Sequence, residues 1–184
     1  MALNIYNHGG DNMTDNFAER DDMNTTDTTI NNDDVVSTLN NLIETCRDGQ
    51  YGFKEAAEGV ERSDLKSLFY EFSQQRAEFT GVLQGLVRSL GGEPADSGSV
   101  SGAMHRSWID IKAAVTGRDE EAILNECERG EDYARDAYRE ALEMSMPSNI
   151  KDVISQQAQA VQAAHNRVKM LRDSEGHKTA STGT

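Results

Sequence analysis

Four segments of the chain repeat apolar residues at intervals of three and four, and this periodicity most constrains the fold. Such spacing places the apolar side chains on one face of an α-helix, which must be buried against other helices. The predicted helices begin near Asn32, Ser63 and Asp119, and after Pro147. No segment shows the alternation of apolar and polar residues that is typical of a β-strand. The sequence therefore predicts an all-α fold.

The connections between these helices predict how the bundle is arranged. Short turns join the first helix to the second and the third to the fourth, which predicts two antiparallel hairpins. Between the hairpins, a shorter helix is predicted over residues 100–116 and is anchored on the bundle by Trp108. At 1.5 Å per residue it is about 25 Å long, enough to bring the chain back along the bundle. The prediction is a four-helix bundle with one long helical crossover.

Composition sets the domain boundaries and excludes several classes of function. Residues 1–31 and 173–184 are polar and lack periodicity, so we expect disordered tails on either side of one domain at 32–172. The net charge of −14 argues against nucleic-acid and anionic-membrane partners. No stretch approaches the roughly 20 apolar residues of a membrane span. Cys46 and Cys127 lie on apolar stripes, which indicates buried thiols in the cytoplasm.

A carboxylate within an apolar stripe is the strongest local anomaly in the sequence. On the third predicted helix, Glu131 lies in line with Ile123, Cys127 and Tyr138, beside Gly130. A buried carboxylate needs an ionic partner or a metal, or it must take up a proton. This stretch therefore predicts a polar site in the core of the bundle.

Residues that are equidistant from a hairpin turn lie at similar heights, and this rule predicts a polar layer through the bundle. The glutamines brought to the level of Glu131 are Gln50, Gln75 and Gln162. One interpretation is a structural layer in which Glu131 or Glu128 pairs with Arg76, Arg129 or His165 and fixes the register of the helices. The alternative is a metal site, with these candidate ligands: Glu44, Glu78, Glu128, Glu131 and His165.

Five runs of the sequence form a recognisable set: Leu42–Gly49, Gln74–Phe79, Ser101–Trp108, Glu126–Asp132 and Gln162–His165. They resemble a bacterial ferritin-like four-helix-bundle family that carries a domain of unknown function, and the resemblance extends over about residues 32–172. It implies the ferritin-like topology of two hairpins joined by a crossover, and a stress-related or storage-related setting.

The wider ferritin-like superfamily places Glu on the first and third helices and Glu-x-x-His on the second and fourth. At the matching positions the chain has Glu44, then Gln75 with Glu78, then Glu128 or Glu131, and finally Gln162 with His165. Two carboxylates and one histidine of that pattern are missing. The resemblance therefore implies a single weak or degenerate metal site in place of a di-iron oxidase.

Two functions are expected from the sequence. The first is a non-enzymatic bundle that self-associates as a homo-oligomer or binds a protein partner through its acidic surface. The second is a protein that binds a divalent metal such as iron in the core, with a metal-dependent oxidase as the only expected activity. Nucleophilic catalysis has no support, because no Ser–His–Asp or Cys–His arrangement is indicated.

Overall fold

A computed structural model describes residues 30–96, 111–117 and 119–182, with side chains through residue 175. These residues form five helices and no strand, which confirms the all-α prediction for this part of the chain. The helices are α1 (Asn32–Gly59), α2 (Ser63–Ser89), α3 (residues 111–117), α4 (Glu120–Glu143) and α5 (Ser148–Thr182). The predicted N-terminal tail, except for its last two residues, and most of the predicted crossover helix, including Trp108, lie outside the described residues.

Helix α5 is longer than the sequence predicts. The expected boundary of the ordered domain is residue 172, whereas α5 continues to Thr182. The added residues contain no proline and a single glycine, Gly176. One glycine within a helix costs about 1 kcal/mol relative to alanine, which weakens a helix without ending it. The helix therefore extends ten residues past the predicted boundary of the domain.

Contacts between helices fix their directions. Helix α1 packs against both α2 and α4, and α4 packs against α5, while α2 and α5 make few contacts. Ser73 Oγ donates to the Gln50 carbonyl, so α1 and α2 are antiparallel. On α4, Glu120 accepts from the backbone amides just beyond the end of α1, and Tyr138 contacts Cys46 nearer the start of α1. Helices α1 and α4 are therefore antiparallel, and α2 and α4 run in the same direction.

Two side chains of α1 hold the loop after α2. Asn40 Nδ2 donates to the Glu93 carbonyl over 3.1 Å, and Asn40 Oδ1 accepts from the Ala95 amide over 2.6 Å. Arg47 Nη1 donates to the Ala95 carbonyl over 2.7 Å. Backbone groups that lie outside regular structure are therefore paired with α1 side chains, which fixes the direction in which the chain leaves α2.

The apolar core consists of two clusters stacked along the bundle. The first surrounds Leu39 and Ile43 near the start of α1, and the second surrounds Phe53 and Phe69 near its end. The buried side chains of Arg76 and Glu131 lie at the level where the two clusters meet. None of the helices in the described ranges is long and apolar enough to cross a membrane.

The exposed face of α2 provides a test of the helix assignment. Gly85 lies within α2, and a Cβ atom added there would contact nothing within 4 Å. We expect Gly85→Ala to raise the free energy of unfolding by about 1 kcal/mol, because alanine has the higher helix propensity. Urea denaturation measures the change. Gly92→Ala is the matched control and should lose stability, since its Cβ would lie 2.8 Å from Val36 Cγ1. A loss of stability in Gly85→Ala would contradict the assignment.

Candidate functional site

The buried carboxylate predicted on the third helix is paired with an arginine from α2. Arg76 and Glu131 are only 1% and 2% exposed, and Arg76 Nη2 donates to both carboxylate oxygens over 2.7 and 2.8 Å. The guanidinium lies 5.9 Å from the centre of the Phe53 ring and 5.6 Å from that of Phe79. Each ring belongs to a different apolar cluster. The ion pair therefore joins the two halves of the core.

The surroundings of Glu131 favour its pairing with Arg76. Burial raises the pKa of Glu131, and the charge and hydrogen bonds of Arg76 act in the opposite direction. Arg76 Nη1 also donates to Gln75 Oε1 over 2.6 Å, while Arg76 Nε has no hydrogen-bond partner among the described residues. The pairing of Glu131 with Arg76, one of the alternatives drawn from the sequence, is the arrangement in the structure.

The predicted layer of three glutamines is replaced by other residues. Gln50, Gln75 and Gln162 are half-buried at the edge of the core. Adjacent residues on a helix point about 100° apart, so the inward position on α2 belongs to Arg76 and excludes Gln75. On α5 the most deeply buried glutamine is Gln157. The inward polar residue on α4 is Glu131, as its apolar stripe predicts, whereas Gln50, Gln75 and Gln162 lie at the edge of the core.

Gln157 belongs to a second buried polar group, which lies within the first apolar cluster. Tyr138 donates to Gln157 Oε1 over 2.7 Å, and the Tyr138 hydroxyl lies 3.1 Å from Cys46 Sγ. Burial raises the pKa of the Cys46 thiol to about 11 and also raises the pKa of Tyr138. Because the thiolate is the reactive form of cysteine, Cys46 is a structural residue and not a nucleophile.

A third polar group lies between α4 and α5 and contains candidate metal ligands. Glu128, Asp132 and His165 each offer a ligand atom, and the three atoms lie within 4.8 Å of one another. Both Glu128 and His165 are buried. Arg135 contacts Asp132 Oδ1 and His165 Nε2 over 3.0 and 3.2 Å, and Arg172 forms an ion pair with Glu128. Two guanidinium groups therefore occupy the positions where a cation would bind.

The structure brings together only part of the predicted ligand set. Glu128 and His165 meet, whereas Glu131 faces Arg76 and is not in this group of ligand atoms. Glu78 is exposed on α2 and accepts from Gln74 Nε2 over 3.1 Å. Glu44 lines a different cavity, the groove between α1 and α4. The four-helix ligand arrangement implied by the ferritin-like resemblance is therefore not formed by these residues.

Asp132 is the member of the group that the sequence analysis missed. It lies four residues after Glu128, and residues four apart share a helix face. It also lies 3.0 Å from His165 through Oδ1 and Nε2. The spacing from Glu128 to Asp132 is present in the sequence. Asp132 lies outside the apolar stripe that contains Glu131, so the stripe alone does not predict it.

The seam between α1 and α4 is open on the surface and forms two adjoining cavities. One, the Asp48 cleft, has a volume of about 80 Å³ and lies toward the end of α1, with Asp48, Phe53 and Glu126 in its walls. The other, the α1/α4 groove, has about 390 Å³ and extends to Thr38 and Met144. Both share Thr45 and Tyr133 as lining residues. Together they make a continuous acidic seam.

A double-mutant cycle tests the structural role of the ion pair between Arg76 and Glu131. We expect Arg76→Met and Glu131→Leu each to lower the free energy of unfolding by about 3–5 kcal/mol, because each leaves a buried charge without its partner. The double variant should recover most of that loss, since two apolar side chains need no partner. Urea denaturation of all four proteins gives the coupling energy.

The pH provides the control for this cycle. Because burial raises the pKa of Glu131, this carboxyl group can take up a proton once Arg76 is removed. Arg76→Met should therefore be less destabilised at pH 5 than at pH 8. A strictly additive cycle at both pH values would contradict the assigned pairing.

Comparison with known proteins places the chain in a family without assigning it an activity. A search of curated proteins finds no match. The family described as "Domain of unknown function (DUF2383)" matches residues 34–144, which is more than half of the chain. This match includes Arg76, Glu128 and Glu131 and ends before α5, so His165 lies outside it. The chain belongs to the DUF2383 family.

Proposed function

We propose that this protein is a ferritin-like helical bundle that works by binding a cationic, amphipathic segment of a partner protein, and not by catalysis. The ferritin-like topology is supported by the common direction of α2 and α4, which a chain that crosses over between two hairpins requires. The observation that carries the proposed function is the open acidic seam between α1 and α4.

The seam combines an apolar floor with acidic walls. Leu42, Ala141 and Met144 contribute apolar surface to the α1/α4 groove, and Glu44 and Glu140 contribute carboxylates. No lysine or arginine lines either cavity among the described residues. Such a surface is complementary to a helix that has apolar side chains on one face and lysines beside them.

The dimensions of the seam suit a short helical segment. On α1 it extends from Thr38 to Phe53, which at 1.5 Å per residue is about 23 Å, or about four helical turns. Tyr133 lines both cavities and is 51% exposed. Tyrosine is enriched at protein interfaces, because its ring buries apolar surface while its hydroxyl still forms hydrogen bonds.

The charge of the chain favours a cationic partner over a second copy. Two chains that each carry −14 repel one another, whereas the same field attracts a basic segment. Glu131, one of the candidate metal ligands, is paired with Arg76 in the core. This pairing supports a binding function over a metal-dependent one at Glu131.

A divalent metal between α4 and α5 is a second candidate function, favoured by the proximity of Glu128, Asp132 and His165. Carboxylate and imidazole ligands suit iron, zinc and manganese. Binding would require Arg135 and Arg172 to leave the ligand atoms. Both arginines are about a third exposed, so each can swing into water.

The partner proposal predicts that charge reversal in the groove weakens the binding of a basic helix. The probe is a labelled 14-residue peptide with leucines spaced three and four apart and lysines beside them. We expect Glu140→Lys to raise its Kd about tenfold or more, which corresponds to about 1.4 kcal/mol. Fluorescence anisotropy measures the Kd.

The control for the groove is Asp152→Lys, which makes the same change of charge at an exposed position on α5 outside both cavities. It should change the Kd much less than Glu140→Lys. Equal effects of the two variants would show a general charge attraction and sink the proposal. Light scattering of the free protein would reveal self-association as the alternative.

The metal candidate predicts a competition between metal and arginine. Added zinc, manganese or ferrous iron should raise the melting temperature, because a ligand that binds only the folded state stabilises it. His165→Ala should abolish the rise, and Arg172→Gln should enlarge it by freeing Glu128. Differential scanning calorimetry measures the shift, and the matched variant Arg167→Gln, exposed on the same helix, should behave as wild type. An unchanged melting temperature in both the wild-type protein and Arg172→Gln on addition of metal would exclude the site.

A further inference from the structure

Helix α3 lies at one end of the acidic seam and closes it there. Its Ile111 is buried in the wall of the Asp48 cleft, beside residues of both α1 and α4. A Cβ added to Gly52 would lie 4.0 Å from Ile111 Cδ1, and Val115 lies directly against Gly59. Gly52 and Gly59 are about two turns apart on one face of α1. Helix α3 therefore covers the last two turns of α1, next to the surface where the seam is open.

The docked position of α3 depends on a small number of side chains. Among its seven described residues only Ile111 is buried, Ala114 and Val115 are half-buried, and the others are exposed. Beneath Ile111 the Asp48 cleft leaves about 80 Å³ unfilled, so the packing of this side chain against α4 is incomplete. A segment with so few buried contacts opens at a lower free energy than the core of the same protein.

The chain after α3 is held independently of α3. Glu120 Oε1 accepts from the backbone amides of Glu61 and Arg62, over 3.2 Å in each case. Asp119 accepts from the first amides of α4 and caps that helix. All of these groups lie outside α3, and the buried residues of α4 follow them in the chain. Helix α3 can therefore leave α1 while the bundle stays folded.

From the few buried contacts, the unfilled cleft and the independently held chain after α3, we propose that α3 is a strap that opens and closes over the Asp48 cleft. The closed strap blocks the end of the seam, and the open strap uncovers Phe53 and Cys127, which line the cleft. The open seam extends along α1 from Thr38 to Gly59, which at 1.5 Å per residue is about 32 Å. The strap is then an autoinhibitory contact against a long partner helix, a role that rests on the proposed function.

Gly59 sets how closely the strap approaches α1. A Cβ at this position would lie 2.5 Å from Val115 Cγ2 and 3.0 Å from Val115 Cβ, well inside normal contact distances. Valine is branched at Cβ and has one strongly preferred rotamer in a helix, so its side chain cannot turn aside freely. Gly59→Ala should therefore shift the strap to its open position. Gly52→Ala is the matched control on the same helix, because 4.0 Å to Ile111 Cδ1 is an ordinary contact distance.

The first test follows the alkylation of both cysteines of the full chain by iodoacetamide, with mass spectrometry of the peptides. Cys127 lies beneath the strap, whereas Cys46 belongs to the other apolar cluster and is the internal reference. In the wild-type protein Cys127 should react at least tenfold faster than Cys46. Its rate should hardly change with low concentrations of urea, because local opening exposes little surface, whereas the rate at Cys46 should rise steeply.

Gly59→Ala should raise the rate at Cys127 at least tenfold, and Gly52→Ala should leave it within twofold. Equal rates and equal urea dependence at the two cysteines of the wild-type protein would overturn the strap, whether or not the variants fold. Equal effects of Gly59→Ala and Gly52→Ala on Cys127 would also overturn it.

The second test measures competition between the strap and a partner helix. A 21-residue peptide, which extends the 14-residue probe by one heptad, is long enough to reach Gly59. It should bind Gly59→Ala at least tenfold more tightly than wild type, because the closed strap lowers the fraction of competent protein. The Kd of the 14-residue peptide should change less than twofold. Equal changes for the two peptides would overturn the autoinhibitory role. Binding of neither peptide would overturn the proposed function and this role with it, while the alkylation of Cys127 would still decide whether the strap opens.

Discussion

The bundle depends on a buried ion pair at its centre. A lone charge at the position of Arg76 or Glu131 would carry a desolvation penalty of several kcal/mol, and each is acceptable only because the other is present. The pair links α2 to α4, two helices that belong to different hairpins. A shift of either helix by one residue would turn its charge away from the other. The pairing therefore selects one register of the hairpins, while the apolar clusters on either side supply most of the stabilisation.

Charge is distributed differently inside and outside this bundle. In the core the carboxylates of Glu131 and Glu128 each face a guanidinium, so acidic residues there are compensated locally. At the described surface, by contrast, the α1/α4 seam gathers acidic side chains around apolar surface. A core that is neutral and an exterior that is strongly acidic are consistent with a protein that meets cations at its surface.

Periodicity was enough to predict the helices, because each has an apolar stripe long enough to define its face. It was not enough to predict the partners of polar residues. Gln75 and Arg76 differ by one position and about 100°, and the orientation of α2 relative to α4 decides which of them points inward. Asp132 becomes a candidate ligand only when α5 brings His165 beside it. The Asp48 cleft was not predicted, since a cavity depends on how two helices diverge and not on the residues of either one.

The hydrogen bonds from Asn40 to the loop after α2 restrict which residues members of the family can carry at position 40. The amide group of Asn40 donates to the Glu93 carbonyl through Nδ2 and accepts from the Ala95 amide through Oδ1, as another backbone would. Aspartate at this position would lose the donor, and leucine would lose both groups. Position 40 lies within the segment shared with the family. Members of the family should therefore retain asparagine at position 40. They should do so although this side chain lies at the surface and contributes nothing to the apolar core.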